Sequence, residues 1–327
     1  MTTAERHEKT GSTTGTGNEP AHWSAEQILE AVSPRRARRL LEATLAEGFR
    51  PETDPARGNV TAGEGHMLLM PSTLGDWSGI KVATVSPENP QRGLPRIQAT
   101  YLLMDTATLS VRALLEGNSL TTLRTPAISA VAVDHLAAPD ARTLLVFGTG
   151  PQALSHIEAF ADVRSFTEVV VCGRTPEKVD AVVEFAQGLG LQARAGDQED
   201  VRGADVVVCA TSASEPLFDG SLVRDSACVV AMGSHEPDHR ELDSGLMGRA
   251  QVVVEDTATA LREAGDVVQA VADGALAEDS LVPLADVVTG TVAPDTSRPR
   301  VFKCVGMSWE DLAVAVGVVT GSQDAES

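Results

Sequence analysis

The sequence has few aromatic residues and few lysines. Aromatic residues make up 3% of its 327 residues, so the interior has to be packed mainly from Ala, Val and Leu. There are 4 lysines, and 46 acidic residues outnumber 26 basic ones, which gives a net charge of −20. Because a phosphate-binding surface needs clustered positive charge, this balance argues against a general nucleic-acid-binding protein. The acidity is typical of a chain that charge keeps soluble.

Long hydrophobic runs and paired cysteines are missing as well. No apolar run reaches about 18 residues, which argues against a membrane span, and the first residues have no apolar signal core. The cysteines form no CxxC pair and stand in or at the end of apolar, strand-like runs, which is typical of buried thiols in a reducing compartment. A soluble, cytoplasmic protein is therefore expected. The four cysteines are Cys172, Cys209, Cys228 and Cys304.

The N-terminal part of the chain is expected to contain a tail, helices and short strands. Residues 1–23 carry mostly Thr, Gly, Ser and charge and predict a disordered tail. Ser24 and Ser33-Pro34 predict the starts of two helices, and an Ala/Val-rich run predicts a third that ends near residue 138. The runs that predict strands are His66–Met70, Gly79–Val85, Ile97–Met104 and Leu109–Leu115.

From residue 139 the pattern changes to Val-rich runs separated by helical stretches. Near-continuous apolar runs are typical of parallel strands that are buried on both faces. The sequence therefore predicts an α/β fold with a doubly wound domain over residues 139–306. The runs are Thr143–Phe147, Glu168–Cys172, Asp205–Ala210, Ala227–Met232 and Gln251–Glu255.

The C-terminal segment Trp309–Val319 is apolar on nearly every side. A helix of this kind is buried, so we expect it to pack against the N-terminal region or against another subunit. Ser308 and Asp311 have the spacing of a capping box and predict where this helix begins.

A GxGxxA fingerprint follows the first Val-rich run and precedes a helical stretch, at Gly148 to Ala153. The first Gly permits a tight turn, the second lets the backbone approach a pyrophosphate, and the small Ala lets helix and strand pack closely. The free N–H groups and positive dipole end of the helix favour phosphate. Strand, turn and helix in this order predict a dinucleotide site.

The residues after the second strand indicate which dinucleotide binds. An NAD site usually has Asp or Glu there, which binds the ribose 2′-hydroxyl, but this chain has Arg174 and Thr175. A guanidinium and a hydroxyl suit a 2′-phosphate, so we predict NADP(H) rather than NAD. The residues assigned to the cofactor site are Thr125, Gly148, Gly150, Gln152, Ala153, Arg174, Thr175, Thr211, Met232 and Gly233.

Two basic residues are candidates for binding an anionic substrate. Lys81 stands inside an apolar strand, where a lysine is unfavourable unless it is paired, faces a cavity or lies at an edge open to water. Arg124 lies between apolar neighbours and has the two N–H donors that clamp a carboxylate. Arg57, taken alone, is indistinguishable from an ordinary loop arginine.

His235 follows the fourth Val-rich strand, where ligands bind in open α/β sheets, and is a candidate for proton transfer. His235 and His239 are four residues apart with Asp238 between them, which is a metal-ligand spacing on a helix. Pro237 interrupts the stretch and no distant third ligand is evident, so we expect no metal site.

Taken in order, six motifs resemble the ornithine cyclodeaminase/mu-crystallin family over about residues 25–320. No single motif is decisive, but the ordered set is specific. The motifs are Leu68-Leu69-Met70-Pro71, Gly79-Ile80-Lys81-Val82, Leu123-Arg124-Thr125, Gly148-Thr149-Gly150-Pro151-Gln152-Ala153, Arg240-Glu241-Leu242 and Phe302-Lys303-Cys304-Val305-Gly306-Met307.

The resemblance implies a homodimer in which the Rossmann domain, residues 139–306, is inserted into an α+β domain formed by residues 24–138 and 307–327. This outer domain would bind substrate and form the dimer. The resemblance also implies that Arg57, Lys81 and Arg124 hold the carboxylate of an α-amino or α-imino acid. The mu-crystallin branch uses NADPH and carries Asn-Arg-Thr where this chain has Gly173-Arg174-Thr175.

One motif departs from the family pattern. Ornithine cyclodeaminases have Gly-x-Asp-x-Pro-Gly-Lys, in which the Asp handles the amine that cyclises, whereas this chain has His235 at the Asp position. We therefore predict NADP(H)-dependent reduction of the C=N bond of a cyclic or N-substituted α-imino acid, with Lys81 and His235 as catalytic residues. The alternatives are an ornithine or lysine cyclodeaminase with bound NAD, and a nicotinamide-cofactor-binding protein with little activity.

Overall fold

The computed structural model describes residues 19–324, which fold around two β-sheets. One sheet has six strands and is mostly antiparallel, and the other has eight strands that are all parallel. The predicted α/β fold class with a doubly wound sheet is confirmed. Within residues 19–324, no helix combines the length and the apolarity that crossing a membrane requires.

The six-stranded sheet contains all four strands predicted in the N-terminal part. Its strands are β1 (Ala21–Trp23), β2 (Gly58–Ala62), β3 (Gly65–Leu74), β4 (Trp77–Val85), β5 (Ile97–Asp105) and β6 (Val111–Glu116), in the order β1-β6-β5-β4-β3-β2. β4 is therefore an internal strand. β2 is not among the predicted strands, because its residues are mostly exposed and lack apolar alternation.

The predicted disordered tail, residues 1–23, includes three residues that are ordered in the structure. Residues 21–23 form β1, which pairs in parallel with residues 113–115 of β6. A short, half-polar strand at a sheet edge has no periodic apolar pattern from which it is predictable. Residues 1–18 of the predicted tail lie outside the described residues.

Three helices accompany this sheet: α1 (Ala25–Ala31), α2 (Pro34–Ala46) and α3 (Gly117–Leu136). Ser24 forms the predicted capping box with Gln27, and Ser33 caps α2. Because these caps satisfy N–H groups that have no partner inside the helix, the local sequence alone sets where both helices begin. α3 is buried along most of its length.

The eight-stranded sheet contains the five predicted Val-rich strands. Its strands are β7 (Thr143–Phe147), β8 (Glu168–Cys172), β9 (Gln192–Ala195), β10 (Val206–Cys209), β11 (Cys228–Ala231), β12 (Gln251–Val254), β13 (Val282–Pro283) and β14 (Arg300–Lys303). Their order is β13-β12-β14-β11-β10-β7-β8-β9. The strand order reverses between β7 and β10, and the carboxyl ends of these two strands form the usual ligand crevice of such sheets.

β14 is not among the predicted strands, although it is fully buried in the middle of the sheet. Two of its four residues are charged, and each has internal partners. Arg300 donates hydrogen bonds to backbone carbonyls, including that of Leu136, and Lys303 donates to the carbonyl of Ser234 and pairs with Asp266. Buried charges with such partners are stable. Because two of the four residues are charged, β14 lacks the apolar run from which a buried strand is predicted.

The remaining helices cover the parallel sheet and fill the space between the sheets. They are α4 (Pro151–Ala161), α5 (Pro176–Gly188), α6 (Ser244–Arg249), α7 (Thr257–Glu263), α8 (Gly265–Ala272), α9 (Leu284–Val288) and α10 (Ser308–Asp324). α3 contacts both sheets, since it packs on β5 and β6 and also on β11, β14 and α4. It therefore places its side chains at the boundary between the two halves.

α10 packs against β3, β4, α2 and α3, as its apolar sequence predicts. Trp309 is almost fully buried. Ser308 is the first helical residue, and Asp311 binds Lys81 on β4, so the carboxylate predicted to cap the helix serves another contact. The four cysteines are buried and unpaired, as predicted.

Candidate active site

The turn between β7 and α4 has the geometry that the GxGxxA fingerprint predicts. Gly148 has a φ of 123°, and a Cβ there would clash with the carbonyl oxygen of Ala210, the residue that follows the neighbouring strand β10. Gly150 precedes α4 without a side-chain cap, and nothing lies within 4 Å of the position its Cβ would take. Ala153 is fully buried against the sheet. The turn is closed towards the sheet and open towards solvent, which fits a dinucleotide pyrophosphate at a helix N-terminus.

At the end of β8, the tightly packed Gly173 is followed by Arg174, whose guanidinium is free. A Cβ at Gly173 would be 2.7 Å from Thr149 Cγ2, so the chain passes tightly behind the phosphate turn. Arg174 is exposed and has no hydrogen-bond or ion-pair partner among the described residues. Thr175 is exposed and precedes α5 without capping it. The guanidinium is therefore available to an anionic ligand.

The loops after β10 and β11 are tied together by one buried carboxylate, Glu241. It accepts hydrogen bonds from the backbone N–H and the hydroxyl of Thr211, at 2.8 and 2.7 Å, and from the N–H of Gly233 at 2.8 Å. Burial raises the pKa of Glu241 to about 7, while the charge of Lys303 opposes this. Thr211, Gly233 and the half-buried Met232 thus lie together at the carboxyl edge of the sheet.

A buried histidine connects the phosphate turn to α3. His156 Nδ1 donates to the carbonyl of Gln152 at 2.7 Å, and its Nε2 lies 3.0 Å from the hydroxyl of Ser129. Burial lowers the pKa of His156 to about 4, so the ring is neutral at pH 7. Gln152 is half-buried, its Oε1 has no partner among the described residues, and Thr125 is buried on α3.

Lys81 on β4 is buried and paired. It is 3% exposed, and its Nζ donates to Asp311 Oδ2 at 2.7 Å and to Thr121 Oγ1 at 3.2 Å. Burial lowers the pKa of Lys81 to about 8, the charge of Asp311 opposes this, and that of Arg124 adds to it. The possibility of an edge lysine pointing to water is thereby excluded.

Arg124 on α3 lies beside Lys81 and is paired with the same helix. Its Nη1 donates to Glu310 Oε2 at 3.1 Å, and its Nε lies 3.5 Å from Asp311 Oδ1. Burial raises the pKa of Glu310 well above its ordinary value, and the neighbouring carboxylate of Glu255 adds to this. Glu310 and Asp311 therefore both face the guanidinium of Arg124.

Arg57 reaches the same region from the chain that leads into β2. It pairs with Glu263 at the end of α7, and its Nη1 donates to the carbonyls of Val305 and Gly306 at 3.3 and 3.4 Å. A Cβ at Gly306 would clash with the guanidinium of Arg124. Arg57 and Arg124 thus both lie against Gly306, in the loop after β14, and Lys81 shares Asp311 with Arg124.

A cavity of about 210 Å³ opens beside Arg57. It is lined by residues from three segments, 51–57, 256–262 and 306–308. The first segment belongs to the six-stranded half, the second follows β12 and the third leads into α10. The cavity therefore lies where the two halves of the molecule meet.

His235 lies in the loop after β11, with an exposed side chain. Partial loss of hydration to neighbouring residues and the positive charge of Arg57 lower the pKa of His235, so the ring is neutral at pH 7. Potential ligand atoms of Glu236, Asp238 and His239 lie within 4.8 Å of one another, but His235 is not part of this group.

The sequence interpretation missed five carboxylates in this region. Glu241 stands in a motif that the sequence identifies, but without a role. Glu310 and Asp311 are adjacent acids in an otherwise apolar helix, and that contrast is the signal from which they are predictable. Glu255 accepts hydrogen bonds from the N–H groups of residues 305 and 306, and Glu263 pairs with Arg57.

Comparison with known proteins identifies the family. Residues 38–325 match the ornithine cyclodeaminase/mu-crystallin family. The chain belongs to this family. It is 35% identical to ketimine reductase mu-crystallin of Mus musculus over 309 residues, which cover 90% of this chain and 95% of the mouse protein.

Two Delta(1)-pyrroline-2-carboxylate reductases are also similar to this chain. A Delta(1)-pyrroline-2-carboxylate reductase of Bacillus cereus is 38% identical over 257 residues, or 76% of this chain and 79% of that protein. The structure of Thermococcus litoralis Delta(1)-pyrroline-2-carboxylate reductase in complex with NADH and L-proline superposes with a TM-score of 0.87 at 27% identity. That match covers 94% of this chain and 98% of the other.

Proposed function

We propose that the protein is an NADP(H)-dependent oxidoreductase that reduces the C=N bond of a cyclic or N-substituted α-imino acid to the amino acid. The observation that carries the proposal is the buried pair Lys81 and Arg124, which lies at the boundary between the two sheets together with Arg57. Two relatives that act on such imines, a ketimine reductase and a pyrroline-2-carboxylate reductase, support it.

A nicotinamide cofactor, when bound, supplies the hydride that the imine carbon accepts. The turn from Gly148 to Ala153 would hold its pyrophosphate, with Thr211, Met232 and Gly233 at the adjoining strand ends. The free guanidinium of Arg174 suits a 2′-phosphate, which supports NADP(H) over NAD.

Arg57 and Arg124 would bind the substrate carboxylate, and Lys81 beside Arg124 would contact the substrate through its one free N–H. Fixed cations in a site that excludes water position the substrate and strengthen its binding. Reduction adds one hydride at carbon and leaves the nitrogen needing one proton. Lys81, whose pKa burial lowers to about 8, would supply this proton, and the exposed His235 would exchange protons with solvent.

The ring of His235 argues against cyclodeamination of ornithine or lysine. Partial loss of hydration and the charge of Arg57 lower its pKa, so the ring is neutral at pH 7 and offers no charge to a second substrate ammonium. A binding protein with little activity is the remaining alternative, and turnover distinguishes it from an enzyme.

The same proposal covers the assembly and the compartment. We infer a homodimer that forms through the six-stranded half, because apolar side chains on that half are exposed, among them Ile97, Leu109 and Val60. Domain boundaries at residues 138/139 and 306/307 fit the positions of the two sheets. Four unpaired, buried cysteines support a cytoplasmic location.

Oxidation of NADPH, followed by absorbance, tests the reaction. The substrates are pyruvate with methylamine, Δ1-pyrroline-2-carboxylate and Δ1-piperideine-2-carboxylate, each also with NADH. Faster turnover with NADPH and an imine is the expected result. Ammonia release from ornithine with NAD, without imine reduction, would establish the cyclodeaminase instead. No turnover in any of these assays would indicate a binding protein.

A further inference from the structure

We propose that the adjacent carboxylates of α10 are separate positioning residues for the two buried cations: Asp311 fixes the ammonium of Lys81, and Glu310 fixes the guanidinium of Arg124. The roles of Lys81 and Arg124 in this inference rest on the proposed function. Glu310 and Asp311 are fully buried behind the cations, so they act through them.

The contacts of Lys81 leave one donor free. An ammonium has three N–H groups, of which one is directed to Asp311 at 2.7 Å and one to Thr121 at 3.2 Å. The Thr121 hydroxyl donates in turn to the carbonyl of Gly117 at 3.0 Å, so its oxygen is held as an acceptor for Lys81. The third N–H is thus the one available to a substrate.

The contacts of Arg124 leave several donors free. Only Nη1 makes a hydrogen bond to α10, at 3.1 Å from Glu310 Oε2. Nε lies 3.5 Å from Asp311 Oδ1, and neither of these two buried atoms has a hydrogen-bond partner among the described residues. Glu310 therefore holds one arm of the guanidinium while the rest remains able to bind a carboxylate.

Helix geometry separates the two carboxylates. Successive residues of an α-helix point about 100° apart, and the two carboxylates accept their hydrogen bonds from different cations. Glu310 is directed to α3 and Asp311 to β4, and both are fully buried. One helix turn thereby ties the strand that carries Lys81 to the helix that carries Arg124.

The charges around Lys81 predict unequal effects of the two acids. Burial and Arg124 disfavour the ammonium, while Asp311 and, to a smaller extent, Glu310 favour it. Removal of the Asp311 charge leaves burial and Arg124 unopposed by their main counter-charge. The ammonium of Lys81 then loses its proton at lower pH, whereas loss of Glu310 changes this little.

The small number of lysines makes the ammonium directly observable. With lysine labelled with ¹³C at Cε, the full chain gives signals from Lys9, Lys81, Lys178 and Lys303 alone, and the Lys81→Met variant assigns the signal of interest. Titration by NMR then measures the pKa of Lys81 without any substrate. In the wild-type protein we expect a value near 8.

The matched variants are Asp311→Asn and Glu310→Gln, which remove one carboxylate each with little change in shape. We expect Asp311→Asn to lower the titration midpoint of Lys81 by about 1 to 3 pH units. The alkaline limb of kcat/KM for the imine should move by the same amount. Glu310→Gln should leave the midpoint close to wild type and raise the KM for the imine more than it lowers kcat.

The Asp311→Glu variant keeps the negative charge but moves the ammonium of Lys81. We expect its Lys81 titration midpoint to stay near wild type and its kcat to fall. This variant tests the proposal if circular dichroism shows that Asp311→Asn does not fold. Equal midpoint shifts in Asp311→Asn and Glu310→Gln, or wild-type kcat in Asp311→Glu, would overturn the proposal. A shifted midpoint in a protein that reduces no imine would instead show that the proposed function is wrong while Asp311 still controls Lys81.

Discussion

His156 Nε2 lies 3.0 Å from Ser129 Oγ, and this contact joins the helix of the phosphate turn to the helix that carries Arg124. The other ring nitrogen donates to the carbonyl of Gln152, in the first turn of α4. Because the carbonyl can only accept, Nδ1 carries the proton and Nε2 accepts from the serine hydroxyl. One neutral imidazole therefore links the cofactor side and the substrate side of the site.

Replacing His156 by Gln is expected to make the unfolding free energy depend less on pH between pH 4 and 6.5. Burial lowers the pKa of His156 from 6.5 to about 4, so between these values the unfolded chain binds a proton that the folded chain excludes. This group therefore adds about 3 kcal/mol to the unfolding free energy as pH rises from 4 to 6.5. Urea unfolding across this range measures the effect. The exposed His22→Gln should follow wild type, and an unchanged slope in His156→Gln would contradict the prediction.

Glu241→Gln is expected to change stability in the opposite direction. Burial raises the pKa of Glu241 from 4.5 to about 7, so the folded chain holds a proton that the unfolded chain releases. The unfolding free energy of the wild type therefore falls as pH rises from 4.5 to 7, and the variant lacks this contribution. Its amide also faces the N–H groups of Thr211 or Gly233, so the KM for the cofactor should rise.

Two measurements check the role of Glu241: urea unfolding between pH 4.5 and 7, and cofactor KM at saturating imine. Glu215→Gln, an exposed acid in the same loop region as Thr211, is the control and should leave both unchanged. A wild-type cofactor KM in Glu241→Gln would show that this carboxylate does not shape the loops after β10 and β11.

Arg174→Ala is expected to weaken NADPH binding selectively. A charge-assisted hydrogen bond to a phosphate contributes about 1.5 to 3 kcal/mol, which corresponds to a rise of about 10- to 150-fold in the KM for NADPH. The KM for NADH should stay near wild type, since NADH has no 2′-phosphate. Initial rates with both cofactors measure this, with the exposed Arg39→Ala as control. If the ratio of the two KM values in Arg174→Ala equals that of the wild type, the assignment of NADP(H) is wrong.

Gly148→Ala is expected to abolish cofactor binding. The residue has a φ of 123° and its Cβ would clash with the carbonyl oxygen of Ala210, so the turn must open. Gly190→Ala is a matched control, because Gly190 has a φ of 82° but nothing within 4 Å of its Cβ position. The control should lose about 1 kcal/mol of unfolding free energy and keep cofactor binding. Equal cofactor affinity in the two variants, measured by fluorescence titration, would contradict the prediction.

Local patterns predicted much of the scaffold. Val-rich runs indicated the five parallel strands, Ser24 and Ser33 indicated the starts of α1 and α2, and the fingerprint indicated the turn at Gly148. Each of these depends on residues within a few positions of one another. β2 and β14 escaped prediction because an exposed edge strand and a strand with buried, paired charges lack the apolar pattern of a strand.

The nucleotide turn, the parallel sheet and the unusual lysine of β4 are readable in the sequence, because local sterics and hydropathy decide them. The partners of the buried cations depend on the folded chain. Asp311 is 230 residues from Lys81, and Glu310 is 186 residues from Arg124. Such pairs form because folding removes both charges from water, where each needs a counter-charge, and no local pattern encodes which one it meets.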